Sequence, residues 1–160
     1  MKVFAKAAVL IISLGLAFAS CDLLEQERDP IEITGDWLDD YGGTLSVTED
    51  SITSSWGGSV NWTAEIAAFD NDGWNAGEEG TGNCGYAVIK YTQASEYAPD
   101  SQDKFMVLRW QNLSTSADDV TTFSYAEGYG DYFENAGSAE SGATDSAGYF
   151  GMYTDGAVRQ

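Results

Sequence analysis

The chain has 160 residues, a formal net charge of −19 and no histidine. That charge repels nucleic acid and anionic lipid head groups. The lack of histidine excludes Ser-His-Asp and Cys-His catalytic arrangements, histidine zinc sites and a histidine-ligated haem. Cations, basic partners and neutral ligands stay open, and acids scattered along the chain also serve simply to keep a domain soluble.

Lys2 and Lys6 give a positive start, and Ala7 to Ser20 is an uncharged apolar run. This is the charge order of a secretory signal peptide, and the run is shorter than the ~18 residues a membrane-spanning helix needs. Its end, Phe18-Ala19-Ser20-Cys21, resembles the lipobox of bacterial lipoproteins, with Phe18 in place of the usual leucine. The resemblance implies a leader over 1–20, a diacylglyceryl group on the Cys21 thiol and Cys21 as the lipidated N-terminus. The chain would then be a membrane-anchored lipoprotein of the bacterial cell envelope, held at the periplasmic face or the cell surface. Each buried methylene contributes roughly 0.8 kcal/mol, so two or three acyl chains hold a domain on a bilayer. Residues 21–30 then read as a lipidated acidic tether and 31–160 as one domain of ordinary size. With Cys21 used for lipid, no intramolecular disulfide is expected, and the place of Cys84 at the head of the apolar run CGYAVIKY favours burial in a strand.

Beyond the tether, Gly, Asn and Asp pairs punctuate short alternating segments, the pattern of an antiparallel all-β domain. Thr34–Leu38 and Thr44–Thr48 read as strands joined across Asp39-Asp40-Tyr41-Gly42-Gly43, a glycine-bearing hairpin loop. Ser51–Trp56 follows, then Gly57-Gly58 leads into the strand beginning at Val60. There Val60, Trp62, Ala64 and Ile66 share one face while Asn61, Thr63 and Glu65 share the other. Cys84–Thr92, Lys104–Trp110, Val120–Ala126 and Tyr149–Tyr153 complete about eight strands. Two long connections, 70–83 and 127–148, are turn-rich; Asp131–Asn135 reads as a single helical turn and the rest of the second as flexible.

Gly35-Asp36-Trp37 at the start of the first strand resembles the G-x-W opening of lipocalins and their smaller calycin-like relatives. The resemblance implies a single antiparallel barrel, with Gly35 letting the chain turn in, Trp37 closing the base and an arginine from a late strand packed over it. Arg109, in FMVLRW, is the counterpart it selects, with two further strands expected after it. A β-sandwich with Trp37 in its core is the alternative fold. The wider pattern, from GDWLDDYGGTLSVTEDSI through Phe69-Asp70-Asn71 to the Phe105…Trp110 strand, is similar to uncharacterised lipoproteins of spirochaete-like bacteria.

Three kinds of site follow as candidates. Asp70, Asp72, Glu78 and Glu79 lie in one loop and raise calcium, but Trp74 and Asn75 break the twelve-residue calcium pattern, so a solvated loop is expected and no cofactor. Asp36, Asp39 and Asp40 raise the same question and receive the same answer. Trp37, Trp56, Trp62, Phe105, Trp110 and Tyr125 supply an aromatic lining, since an eight-stranded barrel can hold one small ligand or be filled by its own side chains. Carboxylate-pair chemistry needs two acids at a fixed separation, and nothing marks such a pair among 26 acids. The expectation is a non-catalytic lipoprotein that binds a small, mostly apolar ligand in a barrel cavity. The alternative is an envelope surface or adhesion protein with a filled core, meeting a basic protein partner through its acidic loops.

Overall fold

A computed structural model of the chain describes residues 29–73, 84–117, 119–128, 132–143 and 156–160. The alternating segments form β1 (Gly35–Leu38), β2 (Gly43–Val47), β3 (Ser51–Trp56), β4 (Ser59–Asp70), β5 (Gly85–Gln93), β6 (Phe105–Ser116), β7 (Asp119–Glu127) and β8 (Ala157–Arg159). They close into one antiparallel barrel in chain order. β8 returns to pair with both β7 and β1, which leaves no sheet edge and replaces the sandwich alternative. The leader, Cys21, Glu78, Glu79 and the expected strand Tyr149–Tyr153 lie outside the described residues. Closure is made instead by the short segment Ala157–Arg159.

Because every neighbouring pair is antiparallel, the connections alternate between two ends. The end where β1 begins, called the base here, carries the incoming segment Ile31–Thr34, the 48–50 turn and Ala117. The opposite end, the mouth, carries residues 39–42, the Gly57-Gly58 turn, residues 94–104 and the chain leaving β7. Gly57 and Gly58 both have positive φ, 58° and 82°, the backbone of a tight type I′ hairpin that pairs Trp56 with Ser59.

Inward positions are apolar, as the alternation in β4 requires: Trp37, Leu45, Val47, Ile52, Trp62, Ala64, Ile89, Met106, Leu108, Trp110, Phe123 and Tyr125 all join one buried cluster. Its rings meet edge to face, Trp37 with Phe123 at 4.6 Å and Trp62 with Tyr91 at 5.5 Å between centroids. Ile31 and Ile33 enter the same cluster from the base and plug it. The plug is fastened by polar bonds: Trp37 Nε1 donates to the Ile33 carbonyl (2.8 Å) and Trp110 Nε1 to the Glu32 carboxylate (2.6 Å).

A helix, α1 (Ala136–Ala143), occupies part of the connection expected to be flexible. The outer faces of β5 and β6 explain it, since Tyr86, Val88 and Val107 are apolar there as well and need cover. Ala136 and Ala139 pack on them, and Tyr86 donates to Glu140 at 3.2 Å. The helix starts at Asn135, whose side chain accepts from the Ser138 amide at 2.9 Å, and the expected turn ending at Asn135 is thus only its lead-in.

Candidate functional site

The base is held by Gly35, Trp37 and an arginine, but the arginine is Arg159 of β8. Its guanidinium carbon lies 4.8 Å from the Trp37 ring centroid, Nε donates to the Val120 carbonyl (2.8 Å) and Nη2 to the Thr34 carbonyl (3.1 Å). Gly35 has φ 141°, and a Cβ there would stand 3.0 Å from Arg159 Nη1, so glycine leaves room for the guanidinium. Arg109 does not take this place. Met106, Leu108 and Trp110 point inward, so alternation turns Arg109 to the outer side of β6, beside Tyr86 and Ala126, where it is 3 % exposed.

The six aromatics expected to line one cavity are divided. Trp37, Trp62, Trp110 and Tyr125 are inside the barrel and packed against one another's neighbours. Phe105 faces outward, against the cover that includes Phe133 and α1. Trp56 is 57 % exposed at the mouth rim. The described interior is therefore occupied by side chains, in the way an eight-stranded barrel allows.

Towards the mouth the interior turns polar. Tyr125 donates to Asp39 Oδ2 at 3.3 Å, and Asp39 Oδ1 accepts from the amides of Tyr41 (2.9 Å) and Gly43 (2.7 Å). Burial, then the charge of Asp39, raises the Tyr125 hydroxyl far above its ordinary value, so it stays protonated and donates. Glu127 follows two positions on and its carboxyl is pushed up to about 7 by desolvation, opposed by a side-chain hydrogen bond with Trp62. The residue as a whole is half-buried, so the desolvation is that of its carboxyl beside Trp62 rather than of the whole side chain. Over this region folds the strap after β7: Phe133 and Phe105 exchange backbone hydrogen bonds (2.9 and 2.8 Å), Glu134 pairs with Lys104, and Tyr132 meets Tyr91 at 5.9 Å.

The mouth rim also presents aromatics to solvent. Tyr41, Trp56 and Tyr97 are 61 %, 57 % and 87 % exposed, at three connections that are consecutive at this end of the barrel, with Trp56 the last residue of β3. Between Trp56 and Tyr97 runs an open groove of about 750 Å³ lined also by Ser59, Val60, Asn61, Gln93 and Glu96. Ser95 donates to Asn61 Oδ1 (2.7 Å) and accepts from the Tyr97 amide (3.3 Å), which fixes the loop against β4. A hydrogen bond to Glu96 raises the Tyr97 hydroxyl above its ordinary value. Of the three rim aromatics, Trp56 is the one expected from the sequence; Tyr41 and Tyr97 stand in turns, where periodicity carries no signal.

A second hollow, about 340 Å³, lies at the base between Ile31, Asp50, Ile66 and Phe69. Asp70 accepts from the Asp72 amide at 2.9 Å, a local turn, and among the described residues no group of acids or thiols is arranged to hold a metal ion. Cys84 is buried immediately before β5, as its sequence context leads one to expect. Comparison of the chain with protein-family models, curated proteins and solved structures finds no match.

Proposed function

We propose that this chain is a membrane-anchored, non-catalytic envelope lipoprotein whose barrel is a filled scaffold presenting its mouth loops for recognition. One observation carries the reading: among the described residues, large aromatic side chains occupy the barrel interior, while the exposed aromatics collect around the mouth. A small apolar ligand inside the barrel would have to displace Trp62, Tyr91 and Tyr132, which close the mouth side. The surface reading requires no such movement. The described chain enters at the base through Asp29 and Pro30, so a lipid on Cys21 followed by a short tether would leave the mouth facing away from the bilayer. The G-x-W opening with Arg159 over Trp37 supports a lipocalin-like ancestry for the scaffold.

Mass analysis of the protein extracted from its native membrane tests the anchor. An acylated N-terminal Cys21, and release of a Cys21→Ser variant into the soluble fraction, are expected. An intact leader or an unmodified N-terminus would overturn the reading.

A further inference from the structure

We propose that the groove between Trp56 and Tyr97 binds a neutral polysaccharide. The inference rests on the reading of the mouth as a recognition surface and names its ligand class. Sugar rings have an apolar C–H face and a hydroxyl edge, and the groove offers both counterparts. Trp56 and Tyr97 supply exposed ring faces, and Asn61, Gln93 and Ser59 supply uncharged hydrogen-bonding groups between them. Asn61 spends its side-chain oxygen on Ser95, which leaves its amide N–H pair for a ligand hydroxyl.

The Trp56 ring is held rather than loose. Trp56 sits at the end of a strand stapled by the Gly57-Gly58 turn, and its ring lies over Gly43, where a Cβ would come within 3.2 Å of Cε3. On the Tyr97 side it is the loop backbone that is fixed, since the Ser95 hydroxyl bonds Asn61 of β4 and accepts from the Tyr97 amide. Pre-placed aromatic faces lose little conformational entropy on binding. At about 750 Å³ the groove is the size of a ligand site, and it is open enough for an extended chain to lie across it.

Charge separates this occupant from others. With a net −19 and Glu96 in the lining, acidic polymers and anionic bilayers are repelled, while a neutral chain meets no charge barrier. A purely apolar ligand would leave Asn61, Gln93 and Ser59 without partners and gain nothing from them.

Affinity electrophoresis of the full chain in detergent, through gels containing amorphous cellulose, β-1,3-glucan, mannan or soluble chitin, tests the proposal. Retardation by at least one neutral polysaccharide is expected, with tryptophan fluorescence following titration by its oligosaccharide. Trp56→Ala and Tyr97→Ala should each weaken binding by about ten-fold or more while circular dichroism and melting temperature stay at the parent values. No retardation with any of the four polymers, or binding that survives Trp56→Ala, would overturn it. So would Trp56-dependent binding only to vesicles of phosphatidylcholine and phosphatidylglycerol, or only to polylysine with loss at high salt. An unacylated Cys21 beside retained glycan binding would remove the anchor and leave this inference standing; an acylated Cys21 without glycan binding would do the reverse.

Discussion

Arg159 lies over the indole of Trp37 with its guanidinium carbon 4.8 Å from the ring centroid, joining the last described strand of the barrel to the first. The same side chain bonds the carbonyls of Val120 and Thr34, so one residue ties β7, β8 and the segment before β1. Its fork can donate to two carbonyls while its plane stacks on the ring, which an ammonium cannot do.

Arg159→Ala is therefore expected to lower stability. The stacking contributes about 0.5–1 kcal/mol at an exposed site, and bonds from a charged donor add to it. Arg159 keeps an exposed flank, so the total expected is about 1–2 kcal/mol. Arg159→Lys should recover less than half. Urea unfolding with an unchanged slope and a lowered midpoint is the sign to look for; no shift for either variant would mean that closure does not depend on this residue.

Gly85 is the counterpart on the other side of the plug. A Cβ there would stand 2.6 Å from Trp110 Nε1, and that indole cannot retreat without breaking its 2.6 Å bond to Glu32. Gly85→Ala is expected to cost about 1–3 kcal/mol as overpacking. It should also loosen Ile31 and Ile33, whose amides would exchange with deuterium faster than those of β2 and β3. Equal protection before and after the substitution would show that the plug does not rest on Trp110.

The strands from β1 to β7 are readable because each is bounded by glycine or Asx turns and the half-buried ones alternate, as Trp62 to Ile66 does; Val60, expected on the same face, is 49 % exposed. β8 is not, for three residues, Ala157-Val158-Arg159, are too few to show a period. That is why the resemblance points to Arg109 and not to the arginine that reaches Trp37: strand order within a closed barrel decides which one does. α1 carries no apolar stripe in its sequence AGSAESGA, and its cause lies elsewhere, in β5 and β6 being apolar on both faces. The same two-sided apolarity hides the fact that Phe105 faces out while Met106 faces in. The register shift at Ser54 and Ser55 leaves Asn61 of β4 as the extra residue, so alternation carries Trp62 inward but does not extend back to Val60, while Trp56 is exposed because it ends β3 at the rim.

The sequence context of Asp39 predicts a solvated acid, yet its carboxylate gathers the amides of Tyr41 and Gly43 and the hydroxyl of Tyr125. Asp39→Ala removes all three and should destabilise by about 1–3 kcal/mol. Asp39→Asn retains an oxygen for the two amides and should cost less than Ala. Tyr125→Phe, which leaves the loop bonds intact, should be milder still. The order of melting temperatures across the three variants checks the assignment, and an Asp39→Ala midpoint equal to that of the parent would refute it.

Glu127 gives the barrel a dependence on pH whose sign is opposite to that of a salt-bridged acid. Its folded-state carboxyl is pushed up from 4.5 to about 7, so the folded chain binds this proton more tightly than the unfolded chain does. Below about pH 4.5 both states are protonated and burial of the neutral acid carries no penalty. As pH rises towards 7 the unfolded state ionises first, and the penalty grows until the folded group ionises too; above that it is constant. At about 1.4 kcal/mol per pH unit the loss reaches about 3 kcal/mol as an upper figure. Other acids also titrate, so the informative quantity is the difference between the parent and Glu127→Gln, which keeps an oxygen for the Trp62 hydrogen bond. The variant should match the parent at pH 4 and exceed it at pH 8, the gap opening between those values in denaturant unfolding. A gap that stays constant across that range would mean that the carboxyl reaches water at the mouth and that Trp62 does not face a sealed acid.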